Sequence, residues 1–283
     1  MAEPVTWTSA DAAACLHAPT AGDDKYSRGV VGVQTGSESY PGAAVLGVEA
    51  AWRTGVGMVR YLGVARDLVM ARRPETVTAS GRVQAWLMGS GMDAATRPPA
   101  VTDELRAALA GSMPVVVDAG ALELAVGAAA PVVVTPHARE HDALRAALDL
   151  EPAGAGRVAA AHETAAALGG VVLLKGAETV VTTPSGWTAR VDAGTPWLAT
   201  AGTGDVLGGV LGAVVAGAQA RAEADGGTLG VEALGPLAAT AAWLHGRTGV
   251  IAARRAGGGA PGPITALDVA LALPEAVAAA SRP

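Results

Sequence analysis

The chain has 283 residues, 51% of them hydrophobic but only 3% aromatic, with no Phe; its apolar content is therefore mostly Ala, Val and Leu, ample for a core of small side chains. A net charge of −6 argues against general nucleic-acid binding, which needs a basic face to displace counterions. The single cysteine, Cys15, excludes an internal disulfide and a cysteine-based zinc cluster, and suits a reducing cytoplasm.

Residues 1–24 read as a polar, Ala-rich lead-in with a short helix and without the regions of a secretory signal. One domain is expected over 25–283, a length within reach of a single large α/β unit. Residues 29–37 (GVVGVQTGS) read as a buried strand leaving into a loop. Residues 40–55 (YPGAAVLGVEAAWRTG) read as a helix with Pro41 in its first turn and Gly55 as its stop. The strand MVRYLG follows, completing a βαβ unit and implying parallel pairing. AWLMGSGMD, MPVVVDAGAL, PVVVTPHARE and GGVVLLKGAETVVTTPSG read as further strands, each ending in a loop. Their continuous apolar runs mean burial on both faces. From Asp205 the chain becomes helical over 205–224, 232–255 and 264–280, the last capped by Thr265 and Asp268. The fold expected is α/β, a mostly parallel central sheet flanked by helices.

In such sheets ligands bind beyond the carboxyl ends of the strands. The loops expected there are 35–42, 89–93, 118–120, 135–140 and 175–178, with 202–205 folded in beside them. The last of these, Gly202-Thr203-Gly204-Asp205, places two glycines before a helix start, a ready anion cradle. Asp205 itself has three readings: a base, an acid that neutralises the helix dipole, or the entry to a membrane span. The apolar run over 206–218 is too short for the roughly 20 residues of a spanning helix. The loop lacks the Lys-Ser/Thr of a Walker A motif, and its third glycine, Gly208, falls one residue late for a dinucleotide fingerprint.

Only two of the 20 basic residues are lysines, Lys25 and Lys175. Lys175, in Lys175-Gly176-Ala177-Glu178-Thr179 at a strand end, reads either as a solvated group or as a ligand contact, with Gly176 and Ala177 permitting close approach. His137 and Asp118 also sit at strand ends. No histidine spacing matches a zinc site and no G-x-S-x-G elbow occurs.

Taken in order, Tyr40-Pro41-Gly42-Ala43-Ala44, Gly89-Ser90-Gly91, Asp118-Ala119, Thr135-Pro136-His137, Lys175-Gly176-Ala177 and Gly202-Thr203-Gly204-Asp205-Val206-Leu207 resemble the ADP-dependent NAD(P)H-hydrate dehydratases, which are ribokinase-like enzymes. The resemblance runs from about Lys25 to the last helix. It implies repair of hydrated NADH or NADPH with ADP as co-substrate and Mg²⁺ as cofactor. It implies Asp205 as the catalytic base and as a substrate contact, with Gly202, Thr203 and Gly204 as the phosphate cradle. Lys175, Gly176, Ala177, Glu178, Thr179 and Gly204 would bind the nucleotide; Ala43, Ala44, Gly91 and His137 would line the hydrate. Metal ligands are not implied. The chain departs from the family pattern at Gly120, where a second acid is common, and at Arg139, where Gly is common. The lead-in leaves no room for the epimerase domain of many relatives, so a partner epimerase is expected on another chain. A cytoplasmic homo-oligomer with no membrane association is expected. The alternatives are a ribokinase-like kinase of a vitamin-precursor alcohol, and an inactive nucleotide-binding protein.

Overall fold

The computed structural model describes residues 3–154 and 156–280. In chain order the elements are β1 (Val5–Thr6), α1 (Ser9–Cys15), β2 (Val30–Gln34), α2 (Pro41–Thr54), β3 (Met58–Tyr61), α3 (Arg66–Arg72), β4 (Ala85–Met88), α4 (Pro99–Leu109), β5 (Val115–Val117), β6 (Val132–Val134), α5 (Ala138–Ala147), α6 (Arg157–Leu168), β7 (Val171–Leu174), β8 (Thr179–Thr182), β9 (Thr188–Val191), α7 (Thr203–Ala224), α8 (Leu234–Ala256) and α9 (Ala266–Ala280). The strands form one sheet in the order β1-β9-β8-β7-β6-β5-β4-β2-β3. Only β8 runs antiparallel to its neighbours; β2 to β7 are parallel.

The sheet is the middle of three layers, and residue parity decides which layer each side chain meets. Val116, Val133, Val171 and Leu173 face a core built with α2, α7, α8 and α9. Val115, Val117, Val132, Val134, Val172 and Leu174 face the opposite core, with Leu105 of α4, Leu144 of α5 and Ala161 of α6. Burial on both sides is why these strands read as unbroken valine runs.

Pro41 and Gly55 bound α2 as expected, with Gly55 at φ 103° closing the helix. Thr265 and Asp268 cap α9 reciprocally: Thr265 N donates to Asp268 Oδ2 at 2.8 Å, and Asp268 N donates to Thr265 Oγ1 at 3.3 Å. The lead-in does more than precede the domain. Val5–Thr6 pairs with β9, α1 packs on α8, and Trp7 stacks edge-on against Trp187. The strand β9 and helices α3 to α6 are also additions to the sequence reading.

Helix α7 is longer than the apolar run that suggested it. Its 22 residues meet the length and composition of a membrane span, but 83% of its apolar window is buried inside the fold. It lies between the sheet and helices α2, α8 and α9. The contact with α2 is close because Gly209 has no side chain: a Cβ there would meet the backbone carbonyl of Gly47. That contact sets the N-terminus of α7 beside that of α2, at the carboxyl edge of the sheet.

Candidate active site

The loops after β2, β4, β5, β6 and β7 share one edge because those strands are parallel. Asp118, directly after β5, is the buried centre of that edge. Its Oδ2 accepts from Ser90 Oγ at 2.9 Å, and its Oδ1 accepts from Thr135 Oγ1 at 2.7 Å and from Lys175 Nζ at 2.8 Å. Four strand ends are thereby tied to one carboxylate. The next residue, Ala119, takes φ 45°, a strained conformation for a residue with a side chain.

Lys175 also lies 3.7 Å from Glu140 Oε2. Burial lowers the pKa of its ammonium, but Asp118, Glu140 and Asp205 outweigh burial and raise it above the ordinary lysine value. Lys175 is therefore a fixed cation at neutral pH. Glu140 is held by a capping box at the start of α5: its Oε2 accepts from His137 N at 2.7 Å, while His137 Nδ1 accepts from Glu140 N at 3.2 Å. The His137 ring is left exposed at the mouth.

The cradle lies opposite. Gly202 takes φ 88° at the N-cap of α7, which a side chain would resist, and a Cβ there would also lie 2.7 Å from Leu46 Cδ1. No side chain caps the helix. Among the described residues the N–H groups of Gly204 and Asp205 have no hydrogen-bond partner, so two donors and the positive helix end remain available to an anion. Lys175 Nζ sits 3.7 Å from where a Gly204 side chain would begin. Thr203 serves the cradle through its backbone only, since its hydroxyl donates to the Leu198 and Thr200 carbonyls at 2.8 and 2.9 Å. Behind it, Nε2 of His245 is buried without a partner among the described residues. Burial, with the charge of Lys175, holds that imidazole at about 4 and therefore neutral.

Asp205 is the unusual group. Its carboxylate neither caps α7 nor hydrogen-bonds to any described residue. Burial first, and the charge of Asp118 second, raise its pKa to about 6, against the pull of Lys175. A desolvated acid poised near neutrality beside a fixed cation and two free N–H donors is equipped to take a proton from a hydroxyl while an anion is held next to it.

The remaining predicted positions divide. Ala43 packs directly on Gly91, and a Cβ on Gly91 would overlap it. Ala44 is fully buried under Gly36 and offers no surface to a ligand, which corrects its place among the lining residues. The Glu178 carboxylate turns to Arg190 of β9, 3.7 Å away, leaving its backbone as the part facing the loop. Both departures from the family pattern have visible surroundings. A side chain at Gly120 would collide with the Met92 carbonyl, so the 92–93 backbone occupies the space of the missing acid. Arg139 is exposed in the first turn of α5. Ser90, Thr135 and Glu140 join the site through these hydrogen bonds, and of the three only Glu140 has a signal in the sequence, its three-residue spacing from His137.

The three-layer fold with a glycine cradle and an acid at the start of a late helix is ribokinase-like. It superposes with a TM-score of 0.79 on a ribokinase-like superfamily protein of Enterococcus faecalis, at 22% identity over 99% of this chain and 97% of that one. It matches equally, at 24% identity over 98% of this chain and 99% of the other, the ADP/ATP-dependent NAD(P)H-hydrate dehydratase of Bacillus subtilis, crystallised with ATP and Mg²⁺. These likenesses establish the fold. The family follows from sequence: residues 31–263 match the model of the NAD(P)H-hydrate dehydratase family, and the chain belongs to it. The bifunctional NAD(P)H-hydrate repair enzyme of Mycobacterium tuberculosis is 44% identical over 76% of this chain and 46% of its own length. That of Corynebacterium glutamicum is 38% identical over 90% of this chain and 48% of its own. The chain spans about half the length of these curated relatives.

Proposed function

We propose that this protein restores NADH and NADPH from their hydrates, consuming ADP and releasing AMP and phosphate. The observation that carries the reading is Asp205: a desolvated carboxylate with no hydrogen bond to any described residue, raised to about 6, beside two N–H donors that no described residue engages. A ring hydroxyl is both a poor nucleophile and a poor leaving group. Asp205 accepts its proton as its oxygen attacks the terminal phosphorus of ADP, and the bond to AMP breaks with the electron pair going to AMP. The Gly204 and Asp205 N–H groups, the α7 dipole and Lys175 stabilise the charge on the transferring group. Phosphate then departs, pushed by the ring nitrogen, and loss of a proton from the neighbouring ring carbon restores the double bond.

In this reading Lys175, Gly176, Ala177 and Thr179 hold the nucleotide, and Ala43, Gly91 and His137 line the hydrate. Among the described residues no three His, Cys, Asp or Glu side chains are grouped to hold a metal, and both Asp118 oxygens are taken. That fits a Mg²⁺ carried mainly by nucleotide phosphates, where it would neutralise their charge. The setting we propose is a cytoplasmic homo-oligomer.

Hydrated NADH is incubated with the protein, Mg²⁺ and either ADP or ATP. Reduced-nicotinamide absorbance should return, with AMP formed when ADP is the donor, and Asp205→Asn should slow both by roughly 10²–10⁴-fold. Absence of recovery with either nucleotide refutes the reading. A stable phosphorylated product without recovery would instead support a small-molecule kinase.

A further inference from the structure

Arg157 is the first residue of α6, whose N-cap, Gly156, provides no side-chain hydrogen bond. A cation in the first turn opposes the helix dipole, so the position calls for a compensating interaction. The guanidinium reaches the loop after β7. Its Nη2 lies 3.5 Å from the Leu174 carbonyl oxygen, 3.3 Å from that of Lys175 and 3.4 Å from that of Glu178. One charged nitrogen thus sits within a ring of three carbonyl dipoles, two of them belonging to the stretch read as nucleotide-binding.

The consequence for that stretch is geometric. In a trans peptide the C=O and the following N–H point in opposite directions, and no described peptide bond is cis. Turning the Lys175 carbonyl toward Arg157 therefore turns the Gly176 N–H away from it. That N–H has no partner among the described residues. Oriented backbone N–H groups of this kind bind anions. Gly176 is also tied to Arg157 sterically, because a Cβ at 176 would lie 2.6 Å from Arg157 Nη2 and 3.2 Å from its Cζ. The room left by this glycine is thus occupied by the guanidinium from within the protein, a different use from close approach by a ligand.

We propose that Arg157 is the positioning residue of the nucleotide loop, fixing the Lys175 and Glu178 carbonyls so that the Gly176 N–H is presented to a phosphate of the nucleoside diphosphate. The inference rests on the nucleotide-binding reading of 175–179. Arg157→Ala should raise KM for ADP by about tenfold, the loss of one or two charge-assisted hydrogen bonds, with kcat changed less than KM and KM for the hydrate at its wild-type value. Arg157→Lys should recover only part of this, since an ammonium lacks the planar fork, and free guanidinium at low concentration should recover part of the Ala variant's loss. Gly176→Ala should impair nucleotide binding in the wild-type background and add little to Arg157→Ala. A KM for ADP unchanged in Arg157→Ala while only Tm falls, or fully additive effects of the two substitutions, would overturn the proposal. Calorimetry separates the two levels. Wild type that binds ADP as tightly as Arg157→Ala defeats this inference alone. Wild type that binds neither ADP nor ATP defeats it together with the functional reading beneath it.

Discussion

Two carboxylates on adjacent helices are treated in opposite ways. Glu49, on α2, is fully buried, and its oxygens receive guanidinium groups from Arg53, Arg72 and Arg73 at 2.5–3.3 Å. Burial pushes its carboxyl up, but the hydrogen bonds from Arg73, Arg53 and Arg72 prevail and leave it at about 2. Asp205, on α7, is also desolvated, yet no described group donates to it, and it rises to about 6. Desolvation raises both carboxyls, yet one is a charged structural acid and the other a proton acceptor. The difference lies in the partners supplied, since an acid whose lone pairs are already filled has no capacity left for a substrate's proton.

The largest expected effect breaks the contrast on the Asp205 side. Asp205→Asn should lower kcat/KM for hydrate repair by roughly 10²–10⁴-fold, the range for removal of a general base. On the other side, Glu49→Gln should cost about 3 kcal/mol of stability, because it leaves guanidinium groups without their anion. A chemical-denaturation midpoint reads that loss, and the pH–rate profile of the folded variant should stay that of wild type. Gly209→Ala should cost about 2 kcal/mol, an overpacked contact against the Gly47 carbonyl, and should also lower kcat by shifting the start of α7.

The smallest effect has the most diagnostic sign. The folded pKa of Asp205 lies above the unfolded value, so the stability it contributes is present below pH 3.8 and is lost as pH rises through about 6. Asp205→Asn should therefore stabilise the protein at pH 8, by on the order of 1 kcal/mol once partial solvent screening is allowed for, while leaving it inactive. Glu49 runs the other way: its contribution is full above pH 4.5 and lost as pH falls toward 2. Thermal melts of wild type and both variants between pH 4 and 8 would separate the two.

Much of this arrangement is legible in the residues. Valine runs ending in small or polar loops announce buried parallel strands and put their ends at one edge, and GTGD announces the cradle. The less visible parts have physical reasons. β1 is two residues long, and β9 carries the exposed Arg190 between buried neighbours. Periodicity also cannot report which polar groups are already satisfied. Thr203, inside the cradle motif, spends its hydroxyl on backbone, and Ala44, inside the Tyr40–Ala44 motif, is sealed under Gly36. Arg157 lies 18 residues from Lys175, and the packing of α6 on β7 and β8 brings the two together.

The dependence of kcat/KM on pH for hydrated NADH at saturating ADP tests the central claim most directly. An unpartnered Asp205 acting as the base predicts an acid limb of unit slope with an apparent pKa near 6. A rate that stays level down to pH 4.5 would mean that Asp205 is an ordinary solvated or capping acid, and would contradict the account.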